Sequence, residues 1–130
     1  MIVLDASAVI EWLLQTPAGA RVDRRIFSRP TSLHAPHLLD LEVAQVLRRY
    51  VRDKDITAQR GQEALEDLGG LPLNRYPHDF LIPRIWRLRA NLTAYDAAYV
   101  ALSELLDVPL LTCDSGIASA PGHHATVEVV

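Results

Sequence analysis

Four acidic residues stand where their carboxylates could act together. Asp5 and Asp114 each follow a short apolar run. Glu42 and Asp96 each lie near the start of a segment whose apolar residues recur with helical spacing. Unpaired carboxylates at one place repel each other, and a hard divalent cation relieves that repulsion. Ligands that are all oxygen favour Mg²⁺ or Mn²⁺ over zinc, and such a site suits hydrolysis of a phosphodiester by metal-activated water.

Two of these acids have a purely structural alternative. Asp commonly caps the helix that follows it, so Asp5 is either a cap or a site residue, although Ser7 is better placed as the cap. Thr93 to Asp96 has the form of a capping box, which would account for Asp96 in a surface helix. The residues after Asp96 are small or apolar almost all round, however, and a carboxylate beside a buried helix is unfavourable unless it is paired or bound to a cation. We therefore favour a functional role for Asp96.

The strands that precede Asp5 and Asp114 share one design. Residues 2–4 and residues 110–113 are short apolar runs, typical of parallel strands that are buried on both faces. The carboxyl ends of parallel strands lie at the same edge of a sheet, and ligands bind beyond that edge. We therefore expect the two carboxylates to lie close together, with Asp5 as the central metal ligand.

The segment 38–52 is predicted to be a helix with one apolar face. Asp40 and Glu42 both lie near its start, where acids favour the positive end of the helix dipole. We assign that structural role to Asp40. Glu42 sits beside the apolar stripe, and we expect it to point toward Asp5.

The remaining elements follow from apolar spacing and from turn residues. We predict that a pair of glycines, Gly69 and Gly70, ends one helix and that Pro83 makes the start of another uncertain. Trp86 either lies in the core or faces a partner, and we favour the core. The predicted strands are 32–35, 71–75 and 126–130. The further predicted helices are 7–14, 18–27, 57–68, about 82–90 and one that runs to residue 106 with Thr93 at its cap, with a short connection at 115–120.

Composition narrows the class of protein. The chain has 130 residues, of which 49% are hydrophobic, and we predict one domain over residues 1–130. Its formal charge of -3 excludes nucleic-acid binding by phosphate neutralisation alone, so a nucleic-acid partner would require a bound cation. We find no signal-peptide pattern and no segment long enough to span a membrane, and we expect a cytoplasmic protein.

The histidines and the single cysteine do not form a metal-binding pattern. His123 and His124 are adjacent, and adjacent side chains seldom face one site, so we place them in a surface loop. Cys113 has no evident basic partner and is expected to be a buried small hydrophobe rather than a nucleophile.

The chain resembles the PIN-domain proteins, specifically VapC-type toxins. The resemblance rests on residues 2–8 (IVLDASA), the helix of Glu42, residues 92–101 (LTAYDAAYVA) and residues 111–114 (LTCD). It implies a three-layer α/β/α fold with a central, mainly parallel sheet of about five strands. It also implies Mg²⁺- or Mn²⁺-dependent endoribonuclease action on structured or ribosomal RNA, a cognate antitoxin, and a toxin homodimer. By resemblance, the acidic site consists of Asp5, Glu42, Asp96 and Asp114, with small hydroxyl residues at Ser7, Thr93 and Thr112.

One departure from the family pattern follows the last aspartate. Residues 115–117 (SGI) lack the extra acid that many relatives carry there. The resemblance therefore gives weaker support to a second metal and to a role for Asp114 than to the roles of Asp5 and Asp96. A receiver-like phosphoacceptor would need a lysine late in the chain, whereas the only lysine is Lys54. A catalytically silent PIN-like module, in which the acids serve only as a docking surface, remains the alternative to a nuclease.

Overall fold

A five-stranded sheet and seven helices make up the computed structural model, which describes residues 1–130. The strands are β1 Ile2–Leu4, β2 Leu33–Pro36, β3 Leu73–Tyr76, β4 Leu110–Thr112 and β5 Val127–Val129. The helices are α1 Ala6–Leu13, α2 Pro17–Phe27, α3 Leu38–Arg52, α4 Ala58–Gly70, α5 Ile82–Arg87, α6 Ala94–Leu106 and α7 Ser115–Ser119, and a 3-10 turn spans Asp79–Leu81. None of the helices combines the length and apolarity needed to cross a bilayer.

The sheet is parallel throughout and has the strand order β3-β2-β1-β4-β5. β1 is the central strand, and Val3 pairs with His34 of β2 on one side and with Leu110 of β4 on the other. The prediction of a mainly parallel, five-stranded sheet is therefore confirmed. Because β1 and β4 are neighbours, the residues that follow them emerge side by side at one edge.

Helices cover the sheet on both faces, which confirms the predicted α/β/α layering. α6 packs on β1, β2 and β4 and carries α5 on its outer side, while α1 packs against β4 and against α2, α3 and α4. All three residues of β1 are fully buried, as expected for a strand between two helical layers. α6 is buried along most of its length, so its small residues allow close approach to the sheet.

α1 begins at Ala6, and Asp5 is its N-cap. Asp5 has an extended backbone, with φ -90° and ψ 173°, and its carboxylate accepts a hydrogen bond from the Ala8 backbone N–H. The prediction that Ser7 is the cap is wrong. Asp5 keeps the extended backbone of β1 and helical geometry begins at Ala6, so the N-cap position falls on Asp5.

α1 and α2 cross at close range because of Gly19. A Cβ atom added at Gly19 would lie 2.0 Å from the Glu11 backbone oxygen, far inside van der Waals contact. Gly69 is the opposite case, since nothing lies within 4 Å of its added Cβ. Gly69 and Gly70 also lie within α4 and do not stop it at Leu68, so that predicted boundary is wrong by two residues.

The prediction for Trp86 is also wrong, because this residue is 65% exposed. α5 has only six residues, and Ile85 is its buried member, so the neighbouring Trp86 is turned outward. The Arg89 guanidinium lies 4.6 Å from the centre of the Trp86 ring and covers one of its faces. Thr93 caps α6, which begins at Ala94, so the predicted cap of this helix is confirmed.

Candidate active site

Asp5 lies at the carboxyl end of the central strand and is only 4% exposed. Its Oδ1 accepts hydrogen bonds from the Ser7 hydroxyl at 2.7 Å and from the Ala8 backbone N–H at 3.0 Å. Its Oδ2 accepts one from the Thr112 hydroxyl at 2.5 Å. Since each carboxylate oxygen has two lone-pair positions, Oδ1 is fully used and Oδ2 keeps one free acceptor position.

The contacts around Asp5 join β1 to β4. The Thr112 hydroxyl also accepts from the Asp114 backbone N–H at 2.9 Å, and the Ser7 hydroxyl accepts from the Cys113 backbone N–H at 3.0 Å. The hydroxyls of Ser7 and Thr112 therefore fix the start of α1 against the segment that leaves β4. Both residues were identified by resemblance as small hydroxyl positions near the acidic site, and the structure places both beside Asp5.

Burial raises the pKa of Asp5, while the three hydrogen bonds oppose that increase and the charge of Asp96 adds to it. The pKa of Glu42 is also raised by burial, and the charges of Asp96 and Asp5 raise it further. Burial together with the charge of Asp114 raises the pKa of Asp96. The structure thus brings Asp5, Glu42 and Asp96 into one electrostatically coupled cluster, which we call the acidic cluster. The charge of Asp96 raises the pKa of both Asp5 and Glu42, and the charge of Asp114 raises that of Asp96, so Asp96 is electrostatically coupled to the other three acids.

Glu42 is positioned by a residue that the sequence analysis did not identify. The Tyr99 hydroxyl of α6 donates a hydrogen bond to Glu42 Oε1 at 2.5 Å. Tyr99 is 1% exposed, and a buried phenol generally requires a hydrogen-bond partner. Tyr99 lies three residues after Asp96 in the run 97–102, whose other residues are all apolar, so its hydroxyl is the one polar group that the sequence offers there.

Asp96 lies in the first turn of α6 and is half-buried. The Thr93 hydroxyl accepts a hydrogen bond from its backbone N–H at 3.1 Å, which is half of the predicted capping box. Thr93 thus fixes the start of the helix from which the Asp96 carboxylate projects. The capping interaction and the acidic cluster therefore coexist at this residue.

Asp114 occupies a different position from the other acids because it is exposed. Its carboxylate caps the short helix α7 by accepting from the Gly116 backbone N–H at 2.8 Å. Its charge acts on Asp96 but is not among the causes that raise the pKa of Asp5 or Glu42. Asp114 thus lies at the rim of the acidic cluster.

Asp40 and the histidines lie outside the acidic cluster. Asp40 forms a bidentate ion pair with Arg75, with nitrogen–oxygen distances of 2.7 and 3.0 Å, and so has a structural role, although with a different partner from the predicted helix dipole. His34 is buried and bonds to Ser32 and Tyr76. His124 contacts Glu104 in the predicted surface loop.

The donor chemistry of the acidic cluster fits a hard divalent cation. No three Asp, Glu, His or Cys side chains are already arranged as a metal-binding cage. Mg²⁺ does not require such a cage, because it is usually held by one or two carboxylates together with waters and substrate phosphates. Oδ2 of Asp5 has a free acceptor position, and burial together with the neighbouring negative charges raises the pKa of all three carboxylates, so a bound cation would favour their charged forms.

A groove of about 660 Å³ opens beside the acidic cluster, between α1 and α3, with the start of α6 at its mouth. We call it the α1–α3 groove. Its twelve lining residues include Ser7 and Glu42, so it is continuous with the cluster. The others are Ala6, Ile10, Glu11, Leu38, Leu41, Gln45, Val46, Arg49, Tyr50 and Tyr95.

Comparison with known proteins gives a consistent result over the whole chain. The family model described as "PIN domain" matches residues 2–122. The chain is 47% identical over 129 residues to ribonuclease VapC1 of Mycobacterium tuberculosis, covering 98% of this chain and 96% of that protein. It is 44% identical over 130 residues to ribonuclease VapC12 of the same species, covering 100% of this chain and 99% of that protein.

The fold is likewise shared with a solved structure. The crystal structure of Mycobacterium tuberculosis VapC20, described as a toxin that cleaves the sarcin-ricin loop, superposes with a TM-score of 0.72 at 12% identity. The match covers 95% of this chain and 97% of that chain. At this identity the likeness shows a common fold.

Proposed function

Because the chain belongs to the PIN-domain family, within the VapC branch, we propose that it is a Mg²⁺- or Mn²⁺-dependent endoribonuclease and the toxin of a toxin-antitoxin module. The observation that carries the proposal is the acidic cluster at the carboxyl edge of the parallel sheet, where burial and mutual repulsion raise the pKa of each member. A fold has little reason to keep three such carboxylates together unless they bind something.

We assign the metal-binding and catalytic role to Asp5, Glu42, Asp96 and Asp114. Asp5 offers the free position of Oδ2, Asp96 joins the others electrostatically, and Asp114 contributes from the rim. The silent partner-binding module is disfavoured by the burial of Asp5, because a carboxylate that is 4% exposed is a poor docking surface.

A divalent cation bound at this site would supply an activated water and would compensate the charge of the phosphodiester. The chain's own residues prepare the site for that chemistry. Ser7, Ala8 and Thr112 hold Asp5 so that only one acceptor position remains, and Tyr99 holds Glu42 in place. Burial raises the pKa of Glu42 and of Asp96, and a more basic carboxylate is a better proton acceptor, so either can take a proton from a water in the site.

The partners in this proposal are an RNA substrate, a cognate antitoxin and a second copy of the chain, in the cytoplasm. The names of the VapC relatives support the RNA substrate, and a structured RNA is consistent with the activity described for VapC20. The proposal treats residues 1–130 as one catalytic domain.

The decisive experiment compares RNA cleavage by the wild type, Asp96→Asn and Asp107→Asn in Mn²⁺. Asp107 is an exposed residue at the opposite end of α6, with a left-handed backbone of φ 54° that Asn tolerates well. Both variants remove one negative charge from the same helix. We expect Asp96→Asn to lose at least about 100-fold in rate, in line with the loss of a metal ligand or its support, and Asp107→Asn to match the wild type. Equal RNA cleavage by all three folded proteins would contradict the proposal.

A further inference from the structure

Tyr95 is an aromatic residue that the fold does not use. It directly precedes Asp96 and is 63% exposed. Tyr95 and Tyr99 are one helical turn apart on the same face of α6. Tyr99 reaches inward to Glu42, whereas Tyr95 lies at the mouth of the α1–α3 groove. An aromatic ring is thus presented to solvent immediately beside the acidic cluster.

The α3 side of the groove changes from negative to positive along its length. Glu42, Val46 and Arg49 lie on one face of α3, because residues four and seven positions apart share a helix face, and all three line the groove. Seven residues correspond to about 10 Å along a helix axis. Arg49 takes part in none of the ion pairs of the chain and lies with its guanidinium 5.6 Å from the centre of the Tyr50 ring.

The groove presents a suitable chemical group for the base and another for the phosphate of a nucleotide. An exposed aromatic ring is a stacking surface for a base, and an arginine without an acidic partner is a site for a phosphate. Ile10 and Val46 also line the groove, and their apolar side chains suit the faces of a base but not a phosphate.

We infer that the α1–α3 groove binds the segment of single-stranded RNA next to the scissile phosphodiester, with Tyr95 stacking on the flanking base and Arg49 contacting a neighbouring phosphate. This inference rests on the proposed ribonuclease function and adds a substrate subsite to it. RNA is favoured over a protein segment because Ser7 and Glu42 belong to both groove and cluster. A strand cut at the cluster must continue into the space beside it.

The test uses a fluorogenic single-stranded RNA oligonucleotide that the wild type cleaves in Mn²⁺, and it separates KM from kcat. We expect Tyr95→Leu to raise KM about tenfold, within the range for losing one base–aromatic stack, and to leave kcat within about twofold. Tyr95→Phe keeps the ring and is expected to keep the wild-type KM. Trp86→Leu removes an equally exposed aromatic from α5 and serves as the matched control.

Arg49→Gln gives a second and independent readout. A lost phosphate contact lowers the slope of log KM against log salt by somewhat less than one unit, whereas a purely structural change lowers the melting temperature instead. An unchanged KM for Tyr95→Leu, with an unchanged salt slope for Arg49→Gln, would overturn the subsite. If the variants lose affinity only for a partner protein and cleave RNA as the wild type does, the subsite is overturned as well. If the wild type itself cleaves no RNA, the proposed function fails first and the subsite with it.

Discussion

The Tyr99 hydroxyl donates a hydrogen bond to the Glu42 carboxylate and thereby links α6 to α3 beyond the carboxyl edge of the sheet. This contact lowers the pKa of Glu42 against the effect of burial. Tyr99 itself is held neutral, because burial and the neighbouring Glu42 raise its pKa. The bond therefore stabilises the charged form of Glu42, which is the form that binds a cation.

Tyr99→Phe is expected to weaken Mn²⁺ binding by about tenfold, as is usual when a group that supports a metal ligand is lost. Without the phenol, Glu42 becomes harder to ionise, so the pH at which metal binding reaches half of its maximum is expected to rise. Titration calorimetry at several pH values measures both effects. Tyr95→Phe is the control, because it removes a phenol from the next turn of the same helix that does not contact Glu42. Equal Mn²⁺ affinity for the two variants would contradict this role of Tyr99.

Mn²⁺ itself is expected to stabilise the folded chain. At one hundred times the dissociation constant, a ligand that binds only the native state adds about 2.7 kcal/mol, which for a chain of this size corresponds to a rise of roughly 10 °C in melting temperature. The rise is expected to be larger at pH 7 than at pH 5, because cations compete with protons for carboxylates. Differential scanning fluorimetry with and without EDTA tests this. A melting temperature that is independent of Mn²⁺ would argue against the metal site.

Without metal, the acidic cluster makes stability depend on pH in a defined direction. The folded-state pKa values of Asp5, Glu42 and Asp96 lie above their unfolded values, so the native state binds more protons than the unfolded state in that interval. Their contribution to stability is fully present below the unfolded pKa values, near 4, and is lost as the pH rises through the folded values. Asp96→Asn is expected to lose part of this dependence and to be more stable than the wild type at pH 7 in EDTA. Urea denaturation at several pH values measures the stability of both proteins, and an Asp96→Asn variant that is less stable than the wild type at pH 7 in EDTA would contradict the prediction.

Two glycine substitutions are expected to change stability in opposite directions. Gly19→Ala places a methyl group against the Glu11 backbone and is expected to destabilise the fold by about 2 kcal/mol or more, since backbone atoms cannot move aside cheaply. Gly69→Ala meets no neighbour and is expected to stabilise α4 by about 0.5–1 kcal/mol. Thermal unfolding of both variants tests the crossing of α1 and α2. A stable Gly19→Ala would mean that these helices can separate.

The sheet could be predicted from sequence because its signals are local. The apolar run of residues 2–4 and its repetition at 110–113 each indicate a strand without reference to the rest of the chain. α3 was predicted with its observed bounds, Leu38–Arg52, because it carries a continuous apolar stripe. The errors arose where a boundary depends on tertiary packing. Trp86 was assigned to the core on residue type, whereas the short α5 buries Ile85 instead.

The three members of the acidic cluster are among the four acids that the sequence indicates, whereas their arrangement, and the position of Asp114 at the rim, could not be predicted. The two structural alternatives were treated as rivals of a functional role, yet Asp5 is both a cap and a member of the cluster. Geometry permits this because a carboxylate has more acceptor positions than one cap consumes. The contact between Tyr99 and Glu42 joins residues 57 positions apart, and no local pattern encodes such a pair. The α1–α3 groove is likewise a product of how three helices meet.

Asp5 is both a helix cap and a member of the acidic cluster, so its substitution is expected to inactivate the chain in a different way from substitution of Asp96. Asp5 holds β1, α1 and β4 together through Ser7, Ala8 and Thr112, so its replacement damages the framework as well as the chemistry. The Asp96 carboxylate holds no elements together in this way, and its neutralisation relieves repulsion from the neighbouring acids. Mutants that are selected for loss of a toxic activity and still accumulate the protein should therefore carry substitutions at Asp96. Substitutions at Asp5 should instead lower the amount of folded protein. An inactive Asp96 variant is thus expected to stay folded and to bind its partners in the cell, whereas an inactive Asp5 variant is not.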